Sequence, residues 1–152
     1  METMNNNIQE QRVSFDNAKR LKEKGFGVSM KEHYPYDGKK SQDICLPCDW
    51  NNFTDMSGDS NYQSRPTQQL ALDWILVNFK LHVRIDWFNT YDDSIGWDYS
   101  IQVALGIDFD DNGNPAYLRA YDPEISFKTP EEAKEAAISF ALTFCLKNAG
   151  NQ

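Results

Sequence analysis

Residues 97–119 read WDYSIQVALGIDFDDNGNPAYLR, and the way this run divides decides the fold. Trp97, Tyr99, Ile101, Val103, Leu105, Ile107 and Phe109 fall at every second position, with Asp98, Ser100, Gln102, Ala104, Gly106 and Asp108 between them. Period two puts one set on each face of an extended chain, the pattern of an antiparallel strand buried on one side. The second half admits another reading. Asp108, Asp110, Asn112 and Gly113 reproduce the opening of a helix-loop-helix calcium loop. Its twelfth position, where a bidentate Glu closes such a site, holds Arg119, and both flanks alternate as strands. Asn112-Gly113 is itself a hairpin signal, so a turn is expected, with Asp108, Asp110 and Asn112 kept as a weak calcium candidate.

Working outward, LHVRIDW at 81–87 alternates in the same way, with Leu81, Val83, Ile85 and Trp87 on one face. AYLRAY, 116–121, is expected to return as a third strand. Three helices flank the strands. Ser14 suits an N-cap and Gly25 a C′ position for a helix over Phe15–Lys24, with Phe15, Ala18 and Leu21 as its apolar stripe. RPTQQLALDWILVNFK, 65–80, starts with Pro66 in the first turn. Leu70, Trp74 and Val77 form its stripe, and Leu72, Ile75, Leu76 and Phe79 widen it into a mostly buried helix. Thr129, Pro130 and Glu132 form a capping box for a last helix running to Lys147, with Ala133, Ala137, Phe140, Ala141, Phe144 and Cys145 on one face.

The expected architecture is α+β, a three-stranded antiparallel meander with helices on one face. Its order is α, long loop, α, β, β, β, α. Residues 1–13 read as a polar, flexible leader and 14–149 as a single domain. The loop from Phe26 to Arg65 is too long to be structureless in a compact domain. Its rings at Tyr34, Tyr36, Trp50, Phe53 and Tyr62 imply that it packs down on the body, with a short strand near Ile44.

Charge and composition exclude several classes of function. The chain carries a formal net charge of −8, and 81–127 hold nine acids against two bases. No basic stripe is present to grip a phosphate backbone, so nucleic-acid binding is not expected. No apolar run is long enough to span a membrane, and the start lacks the apolar core of a signal peptide. Three cysteines fit a reducing cytoplasm rather than a disulfide framework. Cys45-Leu46-Pro47-Cys48 resembles half a zinc site or a redox pair, but the following DWNNF is a poor helix start. His33 and His82 are the only histidines, and no nucleophile elbow, phosphate loop, metalloprotease helix or dinucleotide fingerprint occurs. No catalytic residue and no cofactor are assigned.

The polar face of the sheet is the candidate contact surface. Arg84, Asp86, Ser100, Gln102, Tyr117, Arg119 and Tyr121 are expected there, with Phe88, Tyr91 and Trp50 nearby. Mixed aromatic and polar surfaces of this kind bind proteins. The bland alternative is a face that is solvated or covered by the long loop.

SFDNAKRLKEKGF, RPTQQLALDWILVNFKLHVRID, YSIQV and TPEEAKEAAISFALTFCLKN together resemble a family of small uncharacterised proteins from phages and prophage-like elements of gut bacteria. The resemblance rests on Ser14, Phe15, Ala18, Leu21, Lys22, Gly25, Phe26, Pro66, Thr67, Gln68, Leu72, Trp74, His82, Trp97, Tyr99, Glu131, Glu132 and Ala133. It implies a shared fold and a phage-related setting, and brings no catalytic residues. The expected function is therefore a non-enzymatic accessory protein that binds a host or phage protein. The alternative is a small-ligand protein, holding a nucleotide-like molecule or a metal between the long loop and the sheet.

Overall fold

The computed structural model describes residues 10–34, 49–53, 62–103, 117–122 and 124–148. Over these residues the expected α+β architecture holds, with a second, smaller sheet added. Helix α1 (Phe15–Glu23) starts at Ser14, whose hydroxyl accepts the Asn17 N–H. It ends in a two-bond cap: Gly25 N–H reaches the Lys22 carbonyl and Phe26 N–H reaches that of Leu21. Gly25 sits at φ 89°, a conformation that favours glycine.

The chain then forms β1 (His33–Tyr34), a 3₁₀ turn at Trp50–Asn52, and β2 (Gln63–Ser64), which pairs antiparallel with β1. The rings of the long loop therefore do pack down. Trp50 stacks on His33 with centroids 3.7 Å apart and meets Phe53 and Tyr62 edge-on or tilted. Its indole N–H donates to the Met30 carbonyl at 2.7 Å. The strand expected near Ile44, the ring of Tyr36 and the Cys45–Cys48 pair lie outside the described residues.

Helix α2 (Gln68–Phe79) is capped by Thr67, whose hydroxyl accepts the Leu70 N–H, so Pro66 stands ahead of the helix rather than in its first turn. The Pro66 carbonyl instead accepts the Val13 N–H, while the Gln68 N–H donates to Gln11. Val13 is fully buried. These bonds place residues 11–13, expected in the flexible leader, within the folded body.

Lys80, at φ 58°, turns α2 directly into β3 (Leu81–Asn89). β3 pairs antiparallel with β4 (Ile95–Val103) over nine residue pairs, from Leu81 opposite Val103 to Asn89 opposite Ile95. β5 (Tyr117–Arg119) pairs with β4 across a bulge at Ile101 and Gln102. The meander is therefore β3-β4-β5. The residues expected to extend β4 beyond Val103, and the turn at 108–113, lie outside the described set. Helix α3 (Pro130–Asn148) begins at Thr129, whose hydroxyl accepts the Glu132 N–H. Glu132 reciprocates one residue earlier than a strict capping box requires, at the Lys128 N–H.

One apolar layer joins these elements. Leu81, Tyr99 and Ile101 of the sheet pack with Ala71, Leu72 and Ile75 of α2 and with Ala137, Ile138, Ala141 and Leu142 of α3. Phe140, expected on the buried face of α3, is 38% exposed, and Ile138 and Leu142 take the interior instead.

The sheet's outer face is not bare either. Gly96, Asp98 and Ser100 are buried beneath the segment that follows β5. A Cβ on Gly96 would lie 2.3 Å from the Ser126 hydroxyl and 3.0 Å from both Phe88 and Thr90. Gly96→Ala is therefore expected to cost about 1–3 kcal/mol by overpacking. Adding Ser126→Gly should recover part of that loss in a denaturant titration. An unchanged midpoint for Gly96→Ala alone contradicts the close approach.

Candidate functional site

Hydrophobic alternation in β3 outruns α2, the helix that leads into it. Nine residues of strand span about 30 Å, whereas the twelve residues of α2 span about 18 Å. Burial accordingly fades along β3: Leu81 is buried, Val83 and Ile85 are partly buried, and Trp87 is 60% exposed. Across the hairpin Ile95 is 59% exposed, and Tyr91 at the tip is fully exposed. Tyr121 and Ile125, from the segment after β5, are also exposed. Large apolar side chains are thus concentrated at the hairpin end of the sheet.

Polar groups beside these rings are held in fixed positions. Asp86 and Asp98 are directly opposed on the outer face, a repulsive arrangement unless each is neutralised. Arg84 Nε lies 2.8 Å from Asp86 Oδ2, and the Tyr121 hydroxyl donates to the same oxygen. Burial, reinforced by the hydrogen bond to Asp86, raises the Tyr121 phenol above its ordinary value and keeps it a donor. Asp98 is almost wholly enclosed. It takes Arg119 Nη2 at 2.9 Å on one oxygen and the Asp122 N–H at 2.8 Å on the other. Arg119 also donates to the Tyr99 carbonyl and lies over the Tyr99 ring, 3.7 Å from its centroid. Asp86, Trp87, Phe88, Asp98, Tyr121 and Asp122 line a mainly apolar cleft of about 430 Å³. A neighbouring cleft of about 550 Å³ continues past Phe88 to Tyr91 and Glu124.

The hairpin tip is ordered by its own hydrogen bonds. Thr90 N–H donates to the Ser94 carbonyl at 2.9 Å, and Asp93 adopts a left-handed conformation at φ 60°. The Thr90 and Ser94 hydroxyls and the Ser94 N–H all donate to Asp92. Those bonds, Thr90 first, lower the Asp92 carboxyl to about 2. Asp92 therefore keeps its charge through the ordinary carboxylate range.

Of the residues expected at the contact surface, the structure brings Arg84, Asp86 and Tyr121 together. Gln102 and Tyr117 lie opposite one another at the other end of β4, where Tyr117 is half exposed. Two expectations are corrected. Arg119, whose side chain is only 13% exposed, is consumed by Asp98, and Trp50 is 4% exposed in the aromatic cluster by β1 and β2. A ring that must bury its area and satisfy its N–H loses its place on a surface. Asp108, Asp110 and Asn112 lie outside the described residues. Trp87, Ile95 and Ile125 were not singled out as surface residues by sequence. Trp87 ends the alternating run of β3, whereas Ile95 and Ile125 fall outside both alternating runs and carried no such signal.

No family model, curated protein or solved structure matches the chain. Among the described residues no cluster of three or more His, Cys, Asp or Glu side chains is placed to hold a metal ion. Among those residues, too, no helix is long and apolar enough to cross a membrane.

A larger cleft, about 780 Å³, lies between α1 and α3. Several of its polar groups, Ser14, Asn17, Arg20, Glu135 and Ser139 among them, are bound to one another. Glu135 Oε1 accepts the Ser14 N–H at 2.9 Å and Asn17 Nδ2 at 2.7 Å, while its Oε2 accepts Gln68 Nε2 at 3.1 Å. Arg20 donates to Ser139 at 2.7 Å and also to Thr143. These contacts cross-link helices and leave the hairpin end as the better candidate site.

Proposed function

We propose that the protein is a non-enzymatic accessory protein that binds another protein, using the hairpin end of its meander. The supporting observation is the group of exposed rings at Trp87, Tyr91 and Tyr121, set on rigid strands beside an organised Arg84–Asp86–Tyr121 cluster. Exposed aromatic side chains on a rigid frame are the anchors on which protein interfaces concentrate binding energy. A phage or mobile-element setting, with a host or phage protein as partner, is supported by the sequence resemblance from Ser14 to Ala133. A small ligand held between the long loop and the sheet draws less support, because the described rings of that loop pack on α1, α2 and one another.

Side-chain replacements test the reading. Trp87→Ala and Tyr91→Ser should each leave the unfolding midpoint nearly unchanged, since both rings face solvent. Each should reduce capture of a protein partner by at least about tenfold, the effect of losing roughly 1.4 kcal/mol from an interface. Arg84→Ala and Tyr121→Ala should weaken capture in the same direction. Wild-type capture by all four variants overturns the surface.

A further inference from the structure

Charge at the hairpin end is one-sided. Within 84–103 and 117–127, the described residues include Asp86, Asp92, Asp93, Asp98, Asp122 and Glu124 against Arg84 and Arg119. Both arginines are already engaged, Arg84 with Asp86 and Arg119 with Asp98. A surface that carries more carboxylates than paired cations repels acidic partners and attracts basic ones. The cleft adds a shape argument. Phe88, Tyr121, Asp86 and Asp122 all line it, so an apolar stem can lie beside the rings with its charge near a carboxylate. Arginine and lysine side chains have that form, and a guanidinium also stacks favourably on aromatic faces.

We infer that the docking surface takes a basic segment of a partner protein, with an Arg or Lys side chain seated in the Asp86–Phe88–Tyr121–Asp122 cleft on the outer face of the sheet. The inference rests on the protein-binding reading and specifies the chemistry of the partner.

The test is a titration of the full chain, followed by its backbone and Trp indole N–H signals, with an octapeptide alternating Arg and Leu. A Glu–Leu peptide of the same length is the charge-reversed control. The Arg peptide is expected to shift signals within 84–100 and 117–126. Raising salt from about 50 to 300 mM should weaken binding several-fold. The paired change Asp93→Asn and Glu124→Gln, which removes two charges at constant shape, should weaken it at least about fivefold. Equal shifts with the Glu peptide, shifts centred elsewhere, or affinity indifferent to the paired change overturn the inference. So does an absence of any shift. If the Arg peptide fails while Trp87→Ala still abolishes capture of a protein partner, the basic chemistry is rejected and the docking surface stands.

Discussion

Asp98→Ala should be the most damaging single change at the sheet, lowering stability by about 3–5 kcal/mol. Asp98 has a side chain only 1% exposed, in contact with an Arg119 side chain that is 13% exposed. Removing the carboxylate strands the guanidinium in a place from which water is largely excluded. It also takes the acceptor from the Asp122 N–H. The pair itself need not be worth that much. Taking two charges out of water costs free energy that their attraction only partly returns, whereas leaving one alone forfeits the return entirely. Asp98→Ala combined with Arg119→Met should therefore be markedly more stable than Asp98→Ala alone. A denaturant titration reads both as midpoint shifts at constant slope. A loss below about 1 kcal/mol for Asp98→Ala contradicts the burial argument.

Glu135→Ala should be the second large effect, at about 2–4 kcal/mol. One carboxylate on α3 accepts bonds from the backbone at the start of α1, from the Asn17 amide and from the Gln68 amide at the start of α2. Two helix N-termini thus share one anion, which also complements their dipoles. Asn17 and Gln68 are buried, and alanine leaves each amide with only a backbone acceptor, the Glu135 and Glu131 carbonyls respectively. Glu135→Gln keeps the shape but turns one acceptor into a donor facing another donor, and should recover only part of the loss. Alanine as stable as wild type in thermal unfolding contradicts the hub.

The central hairpin was legible because a period of two has one physical meaning in a half-buried strand. That period marked the two strands and the apolar face from Leu81 to Ile85 and from Tyr99 to Val103, while their register is seen only in the structure. Two helix starts, capped at Ser14 and Thr129, were legible. The third was not: Pro66 was expected in the first turn, but the Thr67 hydroxyl takes the Leu70 N–H and the Pro66 carbonyl takes that of Val13. The buried face of α3 was half legible. Ala133, Ala137 and Ala141 were found, but Phe140 gave way to Ile138 and Leu142 because a helix apolar around much of its surface leaves its rotation to its neighbours.

The candidate site was legible only in part, since it depends on contacts distant in sequence. Arg84, Asp86 and Tyr121 were expected together and are found together. Arg119 sat in the same pattern yet turns to Asp98 and the Tyr99 carbonyl, where the register between β4 and β5 shifts. Trp50 was expected both to pack down with its loop and to lie near the contact surface, and its stacking on His33 and bond to Met30 draw it inside. Trp87 appeared as core because alternation reports a face, not how far the covering helix extends.

The measurement that tests the central claim most directly is deuterium uptake of the full chain, free and bound to a purified protein partner. Protection confined to residues 84–100 and 117–126, with the α1–α3 groove around Glu135 unchanged, is the predicted footprint. Protection at that groove with an unaltered hairpin would contradict the account.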